Sequence, residues 1–196
     1  MTFGPQTALI VVDMQNDFVE EAGSLTVPGA NEIIPFVNQT ISAAAKAGAL
    51  VVYTQDWHPF STPHFEKDGG IWPIHCIGES WGAQMQPMVT VIDKAPMIRK
   101  GTKGEDGYSG FTVRDPENPE EIEPTRLHAL LSDRGIDRVV VIGVATDYCV
   151  KETALDAIRL GYETIALVDG IRAVDLAEGD GDAAIAAMQE AGVAIV

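Results

Sequence analysis

The sequence predicts an α/β fold: a doubly wound, mostly parallel sheet with helices on both faces, formed as a single domain over residues 1–196. Three observations carry this expectation. Strand-sized apolar runs alternate with stretches of helical periodicity, which is the pattern of βαβ units. The runs stop at polar or small residues, as strands of an open sheet do where they reach the loops of its crevice. The length suits one domain with a sizeable core.

Ala8–Val12 reads as the first strand and ends at Asp13. Glu32–Ala47 carries apolar residues at Ile33, Ile34, Val37, Ile41, Ala44 and Ala45 and stops before Gly48. That spacing predicts a helix, with Pro35 tolerated in its first turn and Gly48 closing it. Leu50–Thr54 is the second strand, followed by Gln55 and Asp56. From Trp57 to Glu123 the alternation fails, and Pro, Gly, His and Trp accumulate. One strand is expected there, around Val89–Asp93, and Asp115–Pro124 reads as an acidic surface loop. Irregular stretches of this length inside a compact domain are usually functional.

Pro124–Arg134 is the next expected helix, and it leads into a strand over Arg138–Ile142 that breaks at Gly143. A helical pattern resumes at Tyr148 with Val150, Ala154, Leu155 and Ile158, and ends at Leu160–Gly161. Glu163–Val168 is a strand ending at Asp169, Asp182–Ala191 a helix, and Val193–Val196 a short final strand.

Thirteen basic against 29 acidic residues give a net charge of -16, which argues against nucleic acid or an anionic membrane as partner. It favours a neutral or cationic small molecule over a polyanion. No apolar run is long enough to span a bilayer, and no charged-then-apolar leader opens the chain. Two cysteines, Cys76 and Cys149, make no disulfide framework at this size and suit a reducing cytoplasm. Whether the chain forms a homo-oligomer stays open.

Cys149 lies in the first turn of a helix that follows the carboxyl end of a strand, where open α/β sheets place their binding crevice. The partial positive charge of a helix start favours thiolate over thiol, so Cys149 is a candidate nucleophile. Asp13 and Asp56 also stand at or just beyond strand ends, and the three should converge on one crevice. Lys100, before Gly101, would hold a thiolate and a carboxylate in their charged forms if it turns inward. Spacing alone does not decide that point.

Three of the four histidines fall between residues 58 and 75, in one irregular stretch with an aspartate. Across an extended Asp56-Trp57-His58 the two outer side chains point the same way and can bind one ion. With His64 and His75 they form an oxygen and imidazole donor set suited to zinc, manganese or iron. Cys76 has no thiolate partner at ligand spacing and reads as a small buried residue. His128, alone on a helix, reads as structural.

Together these residues resemble the isochorismatase-like hydrolases, and within them the nicotinamidases, also called pyrazinamidases. The resemblance runs along the whole chain in order. It is carried by Val12-Asp13-Met14-Gln15-Asn16-Asp17-Phe18, Asp56-Trp57-His58, Trp72-Pro73-Ile74-His75-Cys76, Arg99-Lys100-Gly101 with Tyr108-Ser109-Gly110-Phe111, and Gly143-Val144-Ala145-Thr146-Asp147-Tyr148-Cys149. It implies a catalytic triad of Asp13, Lys100 and Cys149. It implies a cis peptide bond between Val144 and Ala145, with the backbone N–H groups of Ala145 and Cys149 forming an oxyanion hole. The implied ligands of a divalent metal, zinc foremost and iron or manganese next, are Asp56, His58 and His75. His64 is carried with them, although the family's loop varies here and some members use three protein ligands. Phe18, Trp72 and Tyr108 are expected to pack against the substrate ring. The implied reaction is hydrolysis of nicotinamide, and of pyrazinamide, to acid and ammonia through a Cys149 thioester.

Overall fold

A computed structural model describes every residue except Met1, Pro116 and Pro119. The main sheet has six strands, all parallel: β1 (Thr7–Val12), β2 (Leu50–Asp56), β3 (Met97–Lys100), β6 (Arg138–Val144), β7 (Glu163–Arg172) and β8 (Ala194–Ile195). Their spatial order is β3-β2-β1-β6-β7-β8. The helices are α1 (Asn16–Val19), α2 (Ile34–Lys46), α3 (Leu127–Asp133), α4 (Lys151–Arg159) and α5 (Asp180–Glu190). A two-stranded antiparallel ribbon, β4 (Thr112–Arg114) with β5 (Ile122–Pro124), stands apart from the sheet.

Strand alternation builds two cores, one on each face. Leu9 and Val11 of β1 pack with Val140 and Ile142 of β6 and with Ile34, Val37, Ile41 and Ala44 of α2. Ala8, Ile10 and Val12 face the other way, toward Leu127 and Leu131 of α3, Ala154 and Ala157 of α4, and Met188 of α5. The chain steps outward from β1 to β2 and β3 in one direction, then returns to the far side of β1 and continues through β6, β7 and β8. Strand order therefore reverses between β1 and β6, and the crevice at the carboxyl ends of those strands is the expected ligand position.

Two expectations fail in the irregular region. Val89–Asp93 forms no strand, because side chains satisfy its backbone instead of a ladder. Thr90 N donates to Asn38 Oδ1 (2.7 Å), Tyr53 Oη donates to Thr90 O (2.9 Å), and Ile92 N donates to Tyr53 Oη (3.1 Å). The strand beside β2 is instead β3, which begins after Pro96. The other failure concerns Pro124–Arg134. Pro124 belongs to β5, paired with Thr112, and the helix starts only at Leu127, where the Thr125 hydroxyl accepts from Leu127 N (3.1 Å). The acidic Asp115–Pro124 segment thus ends in a strand rather than staying a loop throughout, and its Pro116 and Pro119 lie outside the described residues. No helix among the described residues is long and apolar enough to cross a membrane.

Candidate active site

Four strands deliver their terminal side chains to one place. Asp13 follows β1 directly, in the left-handed region at φ 47°. Asp56 and Lys100 close β2 and β3 as register partners, so their side chains leave adjacent strands side by side. Cys149 follows β6 within a π-helical turn over Thr146–Val150, just before α4. The Val144–Ala145 peptide bond that enters this turn is cis, as the resemblance implies. Gly143 makes the approach possible: it sits at φ 114°, and a Cβ there would meet Val12 O at 2.1 Å.

Lys100 is fully buried, and its ammonium gathers the other three groups. It hydrogen bonds to Asp56 Oδ1, lies 2.9 Å from Asp13 Oδ2, and donates to Cys149 Sγ at 3.5 Å. Acceptor atoms of Asp13, Asp56 and Cys149 all lie within 4.8 Å of one another. Burial works against the Lys100 charge, but Asp13 and Asp56 hold its pKa well above the ordinary lysine value. Burial raises Asp13 above the ordinary carboxylate value in spite of Lys100. Asp56 goes the other way: burial opposes its charge, yet Lys100 and the neighbouring histidines keep it well below that range.

The surroundings of Cys149 add to what its place in the chain implies. Burial pushes its thiol well above the ordinary cysteine value; Lys100 opposes the rise, and Asp13 and Asp56 add to it.

Beside this cluster, one ring nitrogen from each of His58, His64 and His75 lies within 4.8 Å of the others. Asp56 Oδ2 faces the group, 3.8 Å from His58 Nε2 and 3.8 Å from His75 Nε2. The Asp56 carboxylate therefore joins the two clusters, one oxygen toward Lys100 and one toward the imidazoles. His75 Nδ1 lies 2.7 Å from Pro73 O, which leaves Nε2 with the lone pair. Burial lowers the His75 pKa to about 4, so the ring is neutral near pH 7. Both His58 ring nitrogens are buried with no hydrogen-bond partner among the described residues. Such orphaned atoms are costly unless something fills the gap, and imidazoles around a carboxylate fit a divalent cation. Gly101, at φ 79°, is required here, because a Cβ would come within 2.5 Å of His58 Nδ1.

A cleft lies above Cys149 and opens to solvent. The expected Phe18, Trp72 and Tyr108 all line it, together with Asp56, His64, His75, Ala145 and Cys149. Trp72 Nε1 donates to Tyr108 Oη (3.0 Å) and packs edge-on against Tyr148 at 4.8 Å between centroids. Tyr148, Leu25, Val27, Val144 and Val174 complete the wall, and the sequence marked none of them as a lining residue. Asp17 fastens the loop that carries Leu25 and Val27, accepting from Ser24 N (3.1 Å) and from Cys76 N (2.7 Å). Asp147 does the same for Val174, accepting from its N–H at 3.0 Å. Thr54 and Asp106 were also missed; the first donates to Asp13 Oδ1 (2.6 Å) and the second lies 2.9 Å from His64 Nδ1. His128 pairs with Tyr162 Oη at 2.8 Å, far from this chemistry, and Cys76 is a buried free thiol.

A chain that gathers these residues at the switch point of a parallel sheet has clear relatives. The Isochorismatase domain family profile matches residues 7–196, and the chain belongs to that family. The Escherichia coli (strain K12) protein named nicotinamidase is 35% identical over 207 residues, covering 97% of this chain and 94% of the other. The crystal structure of the pyrazinamidase of Pyrococcus horikoshii in complex with zinc is 40% identical, with a TM-score of 0.87 and coverage of 98% of this chain and 99% of that one. The structure of PnC1 from L. infantum in complex with nicotinate is 35% identical, with a TM-score of 0.88, and covers 100% of this chain and 95% of that one.

Proposed function

We propose that this protein is a nicotinamide amidohydrolase, accepting pyrazinamide as well, in which Cys149 forms a thioester with the acyl group. The observation that carries the reading is the buried Lys100 ammonium between Asp13, Asp56 and Cys149. The nicotinamidase and pyrazinamidase relatives, one with zinc and one with nicotinate, support the substrate class.

Asp13 acts as the base. Its raised proton affinity suits a group that must accept a proton, and Lys100, 2.9 Å from Oδ2, holds it beside Cys149. The Cys149 thiol gives its proton to Asp13 as sulfur bonds to the carboxamide carbon. The N–H groups of Ala145 and Cys149 hold the oxyanion, and Lys100 balances the negative charge that accumulates between Asp13 and sulfur. Asp13 then protonates the departing nitrogen, the C–N bond breaks, and ammonia leaves. Water attacks the thioester, losing its proton to Asp13. The C–S bond breaks, the acid is released, and the thiol regains its proton.

Asp56, His58, His64 and His75 would hold one divalent ion, zinc in first place, with iron or manganese as alternatives. Bound there, the ion supplies a Lewis-acid anchor for the pyridine nitrogen. Trp72, Tyr108 and Phe18 pack against the ring and turn its carboxamide toward Cys149. Ammonia release from nicotinamide tests the reading: the protein should turn over, and Cys149→Ala should be inactive while keeping its metal. Full activity in that variant would overturn the cysteine route.

A further inference from the structure

We propose that Asp106 is a positioning residue for the metal centre: its carboxylate fixes the tautomer and orientation of His64, so that this chain offers a third imidazole beside Asp56. The inference rests on reading Asp56, His58, His64 and His75 as metal ligands. Asp106 Oδ1 lies 2.9 Å from His64 Nδ1. A carboxylate at that nitrogen holds its proton there and leaves the lone pair on Nε2, while making the ring a stronger donor.

Both halves of the pair are held in place by separate bonds. Asp106 N donates to Arg114 O (2.7 Å), Arg114 N donates back to Asp106 O, and Gly107 N donates to Asp106 Oδ1 at 2.8 Å. Across the gap, the Thr62 hydroxyl accepts from His64 N (3.3 Å) and donates to Gly104 O (3.0 Å), which ties the loop carrying His64 to the loop carrying Asp106. The other two imidazoles lack such a partner: His75 Nδ1 meets the Pro73 carbonyl, and His58 Nδ1 meets nothing among the described residues. The Asp106 side chain is 39% exposed and borders a surface hollow with Ser109, Arg114 and Glu152. It forms no part of the cleft wall itself; His64, which it holds, does.

The test measures zinc affinity of the purified full-length chain by competition with a coloured chelator, alongside the ring-nitrogen chemical shifts of His64. Asp106→Ala should weaken zinc binding about 10–100-fold. Asp106→Asn, which keeps a neutral acceptor and the bond from Gly107, should fall less. Because Asp106 acts only through the ring, the double variant Asp106→Ala/His64→Ala should bind zinc no more weakly than His64→Ala alone. The wild-type ring should carry its proton on Nδ1. Unchanged affinity in Asp106→Ala, losses that multiply in the double variant, or a proton on Nε2 would overturn the inference. His58→Ala separates the two levels. If it loses zinc while Asp106→Ala does not, only the role of Asp106 fails; if it keeps zinc, the metal-centre reading fails with it.

Discussion

Asp56 and Lys100 are register partners at the ends of adjacent parallel strands, and the Lys100 ammonium bonds Asp56 while lying 2.9 Å from Asp13. One buried cation thus joins the carboxylate facing the imidazoles to the carboxylate facing the thiol. Removing it leaves two buried carboxylates without their counter-charge. Lys100→Ala should cost about 3–5 kcal/mol of folding stability in urea denaturation. It should also lower kcat by about 10²–10³ in steady-state ammonia release, since a preorganised charge at the reacting atoms is lost.

Thr54 gives a finer probe of the same carboxylate. Its hydroxyl donates to Asp13 Oδ1 at 2.6 Å and accepts from Asp13 N at 3.2 Å. Thr54→Val keeps the shape and removes both bonds. It should cost about 1.5–3 kcal/mol of stability, the usual worth of a hydrogen bond to a charged group, and reduce kcat. Thr54→Ser should retain most of both, and denaturation curves for the pair of variants check this.

The aromatic wall predicts a binding effect instead. Trp72→Phe keeps a ring in place but deletes the indole N–H that donates to Tyr108 Oη. A net hydrogen bond is worth about 1 kcal/mol, so KM for nicotinamide should rise about fivefold while kcat changes little. A fall confined to kcat would argue that these rings do not hold the substrate.

Metal removal should be visible in stability before activity is assayed. His58 has two buried ring nitrogens without partners, and an ion that binds only the folded state stabilises it by mass action. Zinc at a hundred times its Kd should add about 2.7 kcal/mol, raising Tm over the chelated protein. Identical melting curves with and without zinc would contradict a metal centre at these residues.

Much of this was legible in the sequence because the informative groups sit at strand ends. Asp13, Asp56 and Cys149 are marked by the change from apolar run to polar residue, and the sheet's parallel order does the rest. The six main strands lie where alternation put them, apart from β3, which falls inside the irregular stretch where the alternation fails. The Val89–Asp93 error has a physical source: side-chain bonds from Asn38 and Tyr53 have no signature in local pattern. The same holds for Thr54, Asp106 and Val174, each brought to the site by a contact across at least 27 residues of chain. Lys100 could have been solvated for all that its spacing said. The rise of the Cys149 thiol had no local signal either, because burial among Asp13 and Asp56 is a tertiary property.

The most direct test of the cysteine route is intact-protein and peptide mass spectrometry on samples quenched during nicotinamide turnover. A nicotinoyl group should be found on the peptide containing Cys149, absent from Cys149→Ala and lost again as substrate runs out. Rapid turnover with Cys149 unmodified at every time point, under quench conditions that preserve a thioester standard, would mean that water attacks the amide directly and that the thiol is not the nucleophile.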